Sequence, residues 1–401
     1  MIMETPFLIS VQEARNFVRQ HAHRLVPLGL PIEKSLGHIL AEDVSAPYSI
    51  PGFVQSSVDG YAIRFSDWEK GYPLKIAGES AAGNAIGYSL GPGEAYRVFT
   101  GASLPSGADT MVMQEHVEVL AGNSIGIKNA ELKLGNQVRA IGSEIKAGTL
   151  ARKKGTHLTP SSLAFLANIG FASLPVYPHP RISMILTGNE LQKPGTRPEP
   201  GKVFESNSYS IRAALENLHI PGLKIHYSVD DLDILVNTIE KCKEDSDLLL
   251  VTGGVSVGDY DFTPKALEKT GFEFIFYKIK QRPGKPLLFA KNQDILAFGL
   301  PGNPGSVLTC FYQYVLPAIA IMTGREDILV SKKARIGTDF RKIKGLTFFT
   351  RGIYKDQELM PLSGQESYKM GTYAEANCLI EMEEDMELIA KGTEMTIWLI
   401  N

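Results

Sequence analysis

The chain has 401 residues, a formal net charge of −3, and 44% hydrophobic against 21% charged residues. Such a length and balance describe a folded protein of about two to three domains and exclude wholesale disorder. With no Lys/Arg block longer than Arg152–Lys154, a general nucleic-acid binder is excluded too, because its affinity rests on many phosphate contacts.

Three dispersed cysteines (Cys242, Cys310 and Cys378) form no CxxC pair. They fit a reducing compartment and exclude a disulfide framework or a Cys-rich zinc site. The N-terminus has an acidic residue and no apolar core of a signal peptide. The apolar run Val315 to Met322 falls short of the ~20 residues that span a bilayer. The expectation is a cytoplasmic protein that binds neither membrane nor nucleic acid.

In chain order, Ser10 and Glu13 have capping-box spacing and predict a helix to about His23. That first segment, residues 1–26, is expected to pack on the α/β domain described below. Residues 27–50 and 143–178 read as a mixed linker domain, including a helix from Pro160 to about Asn168 closed by Gly170. Residues 51–142 read as a β-rich module, with strand-like runs at Pro73–Ala77, Ala95–Phe99, Thr110–Val119 and Ser124–Lys128 between Gly, Pro and Asn turns. From 179 to 326 apolar strands alternate with amphipathic helices, the pattern of βαβ units and a parallel sheet. Here the run from Pro286 to Phe298 reads as a hairpin that adds an antiparallel strand. Residues 327–401 return to short strands with Gly turns, predicting a terminal β-barrel or sandwich. The fold class is therefore α/β plus β.

Three strands of the α/β region run into turn-rich loops. Ile182–Leu186 leads to Thr187-Gly188-Asn189-Glu190, Leu248–Val251 to the loop Thr252 to Gly258, and Ile295–Phe298 to the loop Gly299 to Gly305. Strand C-termini of a parallel sheet share one edge, and ligands bind in the crevice outside it. Gly253, Gly254 and Gly258 lack a Cβ, so with Ser256 they can bring backbone N–H groups to an anion. Pro301, Gly302, Asn303 and Ser306 open a long helix, whose N-terminus also favours phosphate. Neither loop has P-loop or GxGxxG spacing. Acidic candidates around them are Glu190, Asp230, Asp259 and Asp261; basic ones are Lys278, Lys280, Arg282 and Lys285. Carboxylates beside oxygen-rich loops suit Mg²⁺. There is no nucleophile elbow of the GxSxG kind.

Taken in order, these stretches resemble the molybdopterin molybdenumtransferase family (MoeA-type enzymes and the matching domain of gephyrin). The matching segments are Pro51–Phe53 with Ser56–Ala62, Thr100–Ala102 with Pro105 and Gly107–Asp109, Gly142–Ile145, Leu186–Leu191, Ser206–Tyr209, Gly253–Gly258, Arg282–Pro286 and Gly299–Pro304. They cover nearly the whole chain, and the ordered set is specific where each part alone is weak. The resemblance implies an enzyme that takes adenylyl-molybdopterin and molybdate as substrates, inserts molybdenum at the dithiolene and releases AMP. It implies Mg²⁺, with Zn²⁺ as the alternative, held by Glu190, Asp230 and Asp261. Functional positions carried over by similarity are Asp59, Thr100, Glu144, Glu190, Asp230, Asp261, Lys278, Arg282 and Lys285.

A homodimer of elongated, four-domain protomers is implied as well, with the Asp59 segment of one protomer facing the α/β pocket of the other. The molybdopterin adenylyltransferase and molybdoenzymes are the implied partners. Alternatives within the same fold are the preceding adenylyltransferase step or a non-catalytic molybdopterin-binding scaffold. The chain departs from the family pattern in four places. Asn189 replaces an acid, Glu144 an acid one methylene shorter, and Arg282 a lysine, while Val54-Gln55 stands where an Asp-Asn pair is frequent.

Overall fold

The computed structural model describes residues 7–83, 87–255, 261–326 and 328–400. The expected anion-loop residues Ser256 and Gly258, and the acid Asp259, lie outside them. Two compact units divide the chain: residues 1–41, 155–159 and 174–401 form one, and residues 42–154 and 160–173 the other.

The first unit is built on a seven-stranded sheet. Its strand order is Phe7–Ile9, Glu273–Ile279, Leu288–Asn292, Ile295–Leu300, Leu248–Thr252, Ile182–Thr187 and Lys224–Ser228. Leu248–Thr252 and Ile182–Thr187 are buried along their whole length, as expected for parallel strands covered on both faces. The Leu288–Asn292 and Ile295–Leu300 hairpin is antiparallel, as its sequence predicts. The sequence reading missed the edge strand Phe7–Ile9, which pairs in parallel with Glu273–Ile279. A three-residue strand carries no readable periodicity. Ile182–Thr187 has its next strand on one side, and the chain then crosses to Leu248–Thr252 on the other. The strand order therefore reverses between Thr187 and Thr252, and a crevice at their C-terminal ends is the consequence.

Helix Val11–His21 begins with the predicted capping box, both reciprocal bonds being present, and it buries Val11, Ala14 and Val18 in the core of the sheet. The last long helix is longer than the apolar run suggests. It extends over Pro304–Thr323, and by length and composition these 20 residues are apolar enough to cross a membrane, although 78% of the apolar window is buried inside the fold. Its middle, Phe311–Val315, is a π segment. Pro317 explains it: proline has no N–H for the carbonyl four residues earlier, and a π turn before it relieves both that loss and the ring clash.

The chain ends in a closed barrel of Ser331–Ile336, Thr347–Lys355, Glu358–Pro361, Cys378–Met382 and Glu394–Leu399. Closure comes from Thr347–Lys355 pairing with both Glu358–Pro361 and Cys378–Met382. The two residues Gln281–Arg282 add to its side, in register with Thr347 and Phe348.

The second unit carries a six-stranded sheet ordered Val117–Leu120, Ser124–Ile127, Leu74–Ser80, Glu94–Val98, Gly60–Ile63 and Thr110–Met113. The expected strand Thr110–Val119 is two strands, separated by the 3-10 turn Gln114–His116. Each half satisfies a different partner, Thr110–Met113 pairing with Gly60–Ile63 and Val117–Leu120 with Ser124–Ile127. Gly60 lies between two strands so closely that a Cβ there would sit 1.9 Å from the Val112 carbonyl oxygen. Gly60→Ala is expected to lower stability by about 2 kcal/mol or more. Gly52→Ala, where a Cβ would meet only Ser49 O at 3.6 Å, should change it by less than about 0.5 kcal/mol. Urea unfolding of the two variants side by side checks this.

Candidate active site

At the strand-order reversal, side chains and glycines fix the two loops against each other. Thr187 Oγ1 donates to Thr252 O at 2.9 Å, and Thr263 Oγ1 to Gly253 O at 2.8 Å. Gly253 has φ +90°, and a Cβ on it would lie 2.6 Å from Thr187 Oγ1 and 2.7 Å from its carbonyl oxygen. Only glycine fits that close approach. Gly254, with φ +59°, faces Thr263 Oγ1, and together with Thr187, Asp230 and Phe262 it lines a narrow space.

Asp230 and Asn189 hold the neighbouring loops together reciprocally. Asn189 N–H donates to Asp230 Oδ2 at 3.0 Å, and Asp230 N–H donates to Asn189 Oδ1 at 3.3 Å. The departure at Asn189 is therefore geometrically neutral, since an amide oxygen accepts as a carboxylate would; one negative charge is lost. Glu190 folds its carboxylate over Gly188, where a Cβ would lie 2.6 Å from Oε2. Tyr277, whose hydroxyl donates to Val255 O at 2.6 Å, feels the charge of Asp261. Burial first, and then that carboxylate, push the Tyr277 phenol up. Lys278 follows it in a left-handed conformation, φ +70°, with Nζ 4.9 Å from the Tyr277 ring centroid.

The basic turn lines a different space from Asp230. Arg282 and Lys285 line a cavity of about 450 Å³ together with Pro301, Asn303 and Ser306 from the start of the long helix. A guanidinium, an ammonium group, a hydroxyl and a helix N-terminus lining one space make a host for an oxyanion. The opposite wall comes from the barrel loop at Gln365, Glu366, Ser367 and Tyr368, with the Glu366 carboxylate ion-paired to Lys369 at 2.9 Å; Gly305 N–H donates to Ser367 O at 2.8 Å to fix the two walls together. That loop is held from below by Arg351, which is 1% exposed. It donates to the carbonyls of Gly364 at 3.2 Å and Lys369 at 3.1 Å. Burial lowers its pKa, but a guanidinium remains charged. Sequence reasoning missed this wall, because no local spacing marks a loop between two barrel strands.

Two further residues were missed. Asn207 Nδ2 donates to Gly302 O at 3.0 Å, while its Oδ1 is buried without a partner beside the same loop. Glu205, also buried, accepts from Ser208 N at 2.7 Å and Ser208 Oγ at 2.6 Å, tethering the first turn of helix Asn207–Asn217. Cys242, Cys310 and Cys378 are all free and buried, and burial pushes each thiol up, so none is poised as a nucleophile.

Among the described residues no three His, Cys, Asp or Glu side chains come together as a metal cage. Glu190, Asp230 and Asp261 thus do not form a complete ligand set by themselves. Mg²⁺ requires only one or two carboxylates besides water and substrate phosphates, and the donor set at Glu190 and Asp230 fits that chemistry. Zn²⁺ favours nitrogen and sulfur ligands, and this donor set supplies oxygen.

In the second unit, Asp59 ends the turn before strand Gly60–Ile63. Its Oδ1 accepts from both the N–H and the hydroxyl of Thr100, each at 2.7 Å, so two residues far apart in sequence are brought together. The Thr100 hydroxyl and then its N–H lower the Asp59 pKa. Glu144 lies elsewhere in this unit, lining a cavity of about 710 Å³ with Pro51, Gln55 and Arg139. Because the folded pKa is depressed, any contribution of Asp59 to stability is present above the ordinary aspartate value and lost as pH falls through the lower folded one. In Thr100→Val, with the hydroxyl removed, the carboxyl should titrate closer to the ordinary value. Carbon-13 NMR of the Asp59 carboxyl across an acid titration reads this, and an unchanged midpoint would refute the assignment.

Comparison with known proteins covers nearly the whole chain. Residues 9–170 match the MoeA N-terminal region (domain I and II), 183–321 the probable molybdopterin binding domain, and 333–400 the MoeA C-terminal region (domain IV). A molybdopterin molybdenumtransferase of Haemophilus influenzae is 34% identical over 375 residues, covering 92% of each chain. Molybdopterin molybdenumtransferase 2 of Mycobacterium tuberculosis is 31% identical, covering 97% of this chain and 99% of its own. A crystal structure of a molybdopterin biosynthesis MoeA protein from Pyrococcus horikosii superposes with a TM-score of 0.82 at 30% identity, covering 98% and 99% of the two chains. The chain belongs to the molybdopterin molybdenumtransferase (MoeA) family.

Proposed function

We propose that the protein is a transferase of molybdenum cofactor biosynthesis that inserts molybdenum from molybdate into the dithiolene of adenylyl-molybdopterin and releases AMP. The observation that carries this reading is the Arg282 cavity. It sets two cations, the Ser306 hydroxyl and a helix N-terminus around one space, in a chain related over its full length to enzymes named for this activity. Molybdate is a compact dianion, and such a cavity offers it charge-assisted hydrogen bonds. The Gly253–Gly254 turn and Thr263, at the strand-order reversal, suit the phosphates of the larger substrate. Asp230 and Glu190 would hold Mg²⁺. Bound there, Mg²⁺ supplies neutralisation of phosphate charge during cleavage of the phosphoanhydride.

We place the reaction in the cytoplasm, which the three free, buried cysteines support. We also propose a homodimer in which Asp59 of a second copy completes the site. Asp59 is suited to that role because it is exposed to solvent and the hydrogen bonds from Thr100 favour its ionised form. The molybdopterin adenylyltransferase upstream and molybdoenzymes downstream are the proposed partners.

The test is molybdate-dependent release of AMP from adenylyl-molybdopterin in the presence of Mg²⁺. Arg282→Ala and Lys285→Ala should each raise the molybdate KM about tenfold or more. Asp59→Asn should lower kcat with little change in that KM. In hybrids of Asp59→Asn with Arg282→Ala chains, part of the activity should return, since one of the two shared sites would then be intact. AMP release that ignores molybdate would overturn the reading, and hybrids that remain inactive would overturn the shared site.

A further inference from the structure

Another cavity lies between the N-terminal helix and the C-terminal half of the long helix. Its volume is about 400 Å³, the size of a small-molecule site. Its apolar lining comes from Val18, Pro317, Ile321, Ile328, Leu329 and Trp398, with Arg15 stacked on the Trp398 ring at 4.8 Å from its centroid. Gln313, which is 1% exposed, also lines it. The amide oxygen of Gln313 accepts from Arg15 at 2.5 Å, whereas its Nε2 is buried with no acceptor. Native proteins rarely leave such a donor unpaired, and a side chain lining a cavity can be satisfied by what enters it.

The rim is predominantly cationic. Arg19, Arg24 and Arg325 line it, against the single carboxylate of Glu326. Arg15 is already neutralised by Glu381, bound through both nitrogens at 2.9 and 3.0 Å. Arg19 and Arg24 are exposed at the mouth. A cation has no place here, and a metal has no ligand set. A flat apolar body against Trp398, an acceptor near Gln313 and a negative group at the arginines satisfy every wall at once.

We infer that this cavity is a binding site for a compact, flat and largely apolar organic anion, of the aromatic carboxylate or sulfonate class. It is separate from the Arg282 cavity, although the same helix forms part of both: Asn303 and Ser306 at one end, Gln313 to Gly324 at the other.

Trp398 makes the inference directly testable, because the chain has only two tryptophans. In the full chain carrying Trp68→Phe, titration with 1-anilinonaphthalene-8-sulfonate should saturate at one site per chain, with energy transfer from Trp398. Arg19→Glu combined with Arg24→Glu should weaken the sulfonate about tenfold or more, leaving the uncharged N-phenyl-1-naphthylamine unaffected. Ala320→Phe, which fills the cavity wall, should abolish binding of both dyes. If that variant misfolds by circular dichroism, the exposed arginine pair still decides. The inference fails on any of three results: no saturable binding, saturation without transfer from Trp398, or equal affinity in the arginine variant. It also fails if saturation changes the oligomeric state in sedimentation, because the occupant would then be a surface of a second copy.

Discussion

The arrangement of the Arg282 cavity depends on one buried amide, Gln281, which is 0% exposed. Its Nε2 donates to the carbonyls of Pro283 at 3.0 Å and Gly284 at 3.2 Å, and its Oε1 accepts from the hydroxyl of Tyr314 at 2.5 Å. One side chain therefore closes the basic turn on itself and ties it to the long helix. Gly284 packs so tightly that a Cβ would come within 2.5 Å of Cys310 Sγ and 2.7 Å of Gln281 Nε2. In a desolvated setting an unmade bond at Gln281 would cost about 1–3 kcal/mol. The turn carrying Arg282 and Lys285 is thus held by side-chain bonds to its backbone carbonyls, and its two cations need not organise themselves when an anion arrives.

The π segment of the long helix has a consequence at two places. By changing the register of side chains before Pro317 it presents Tyr314 to Gln281 and Gln313 to Arg15. Arg15 in turn stacks on Trp398, 4.8 Å from the ring centroid, and shares Glu381 with its indole N–H, 2.7 Å from Oε2. One irregular turn so connects the N-terminal helix, the sheet and the barrel. π bulges recur at functional positions because they redirect side chains without ending a helix. Here the same turn lies between two cavities of different chemistry, one polar and cationic, the other apolar with a cationic rim.

Position Asn189 shows how a departure from family pattern is absorbed. Its bond from Asp230 N–H asks only for an acceptor, which an amide supplies. The loop keeps its geometry with one charge fewer beside Glu190 and Asp230.

The sequence alone determined the alternation of strands and helices, the closing hairpin, the capping box and the three glycine-bearing loops. These rest on local chemistry: side-chain period, backbone freedom and reciprocal caps. It also determined which residues carry charge, including Asp59, Arg282 and Lys285, and the order of motifs that a family resemblance needs. Only tertiary structure decided which loops share a wall. Ser367 meets Ser306 across a cavity, and Arg351 reaches the Gly364 and Lys369 carbonyls, through barrel closure that no short window encodes. Thr100 reaches Asp59 because Gly60–Ile63 pairs with Glu94–Val98, so a pairing register places the hydrogen bonds that lower the pKa of an acid. Such long-range pairings follow from the packing of whole layers, which is why the residues of each site were legible one by one and their grouping was not.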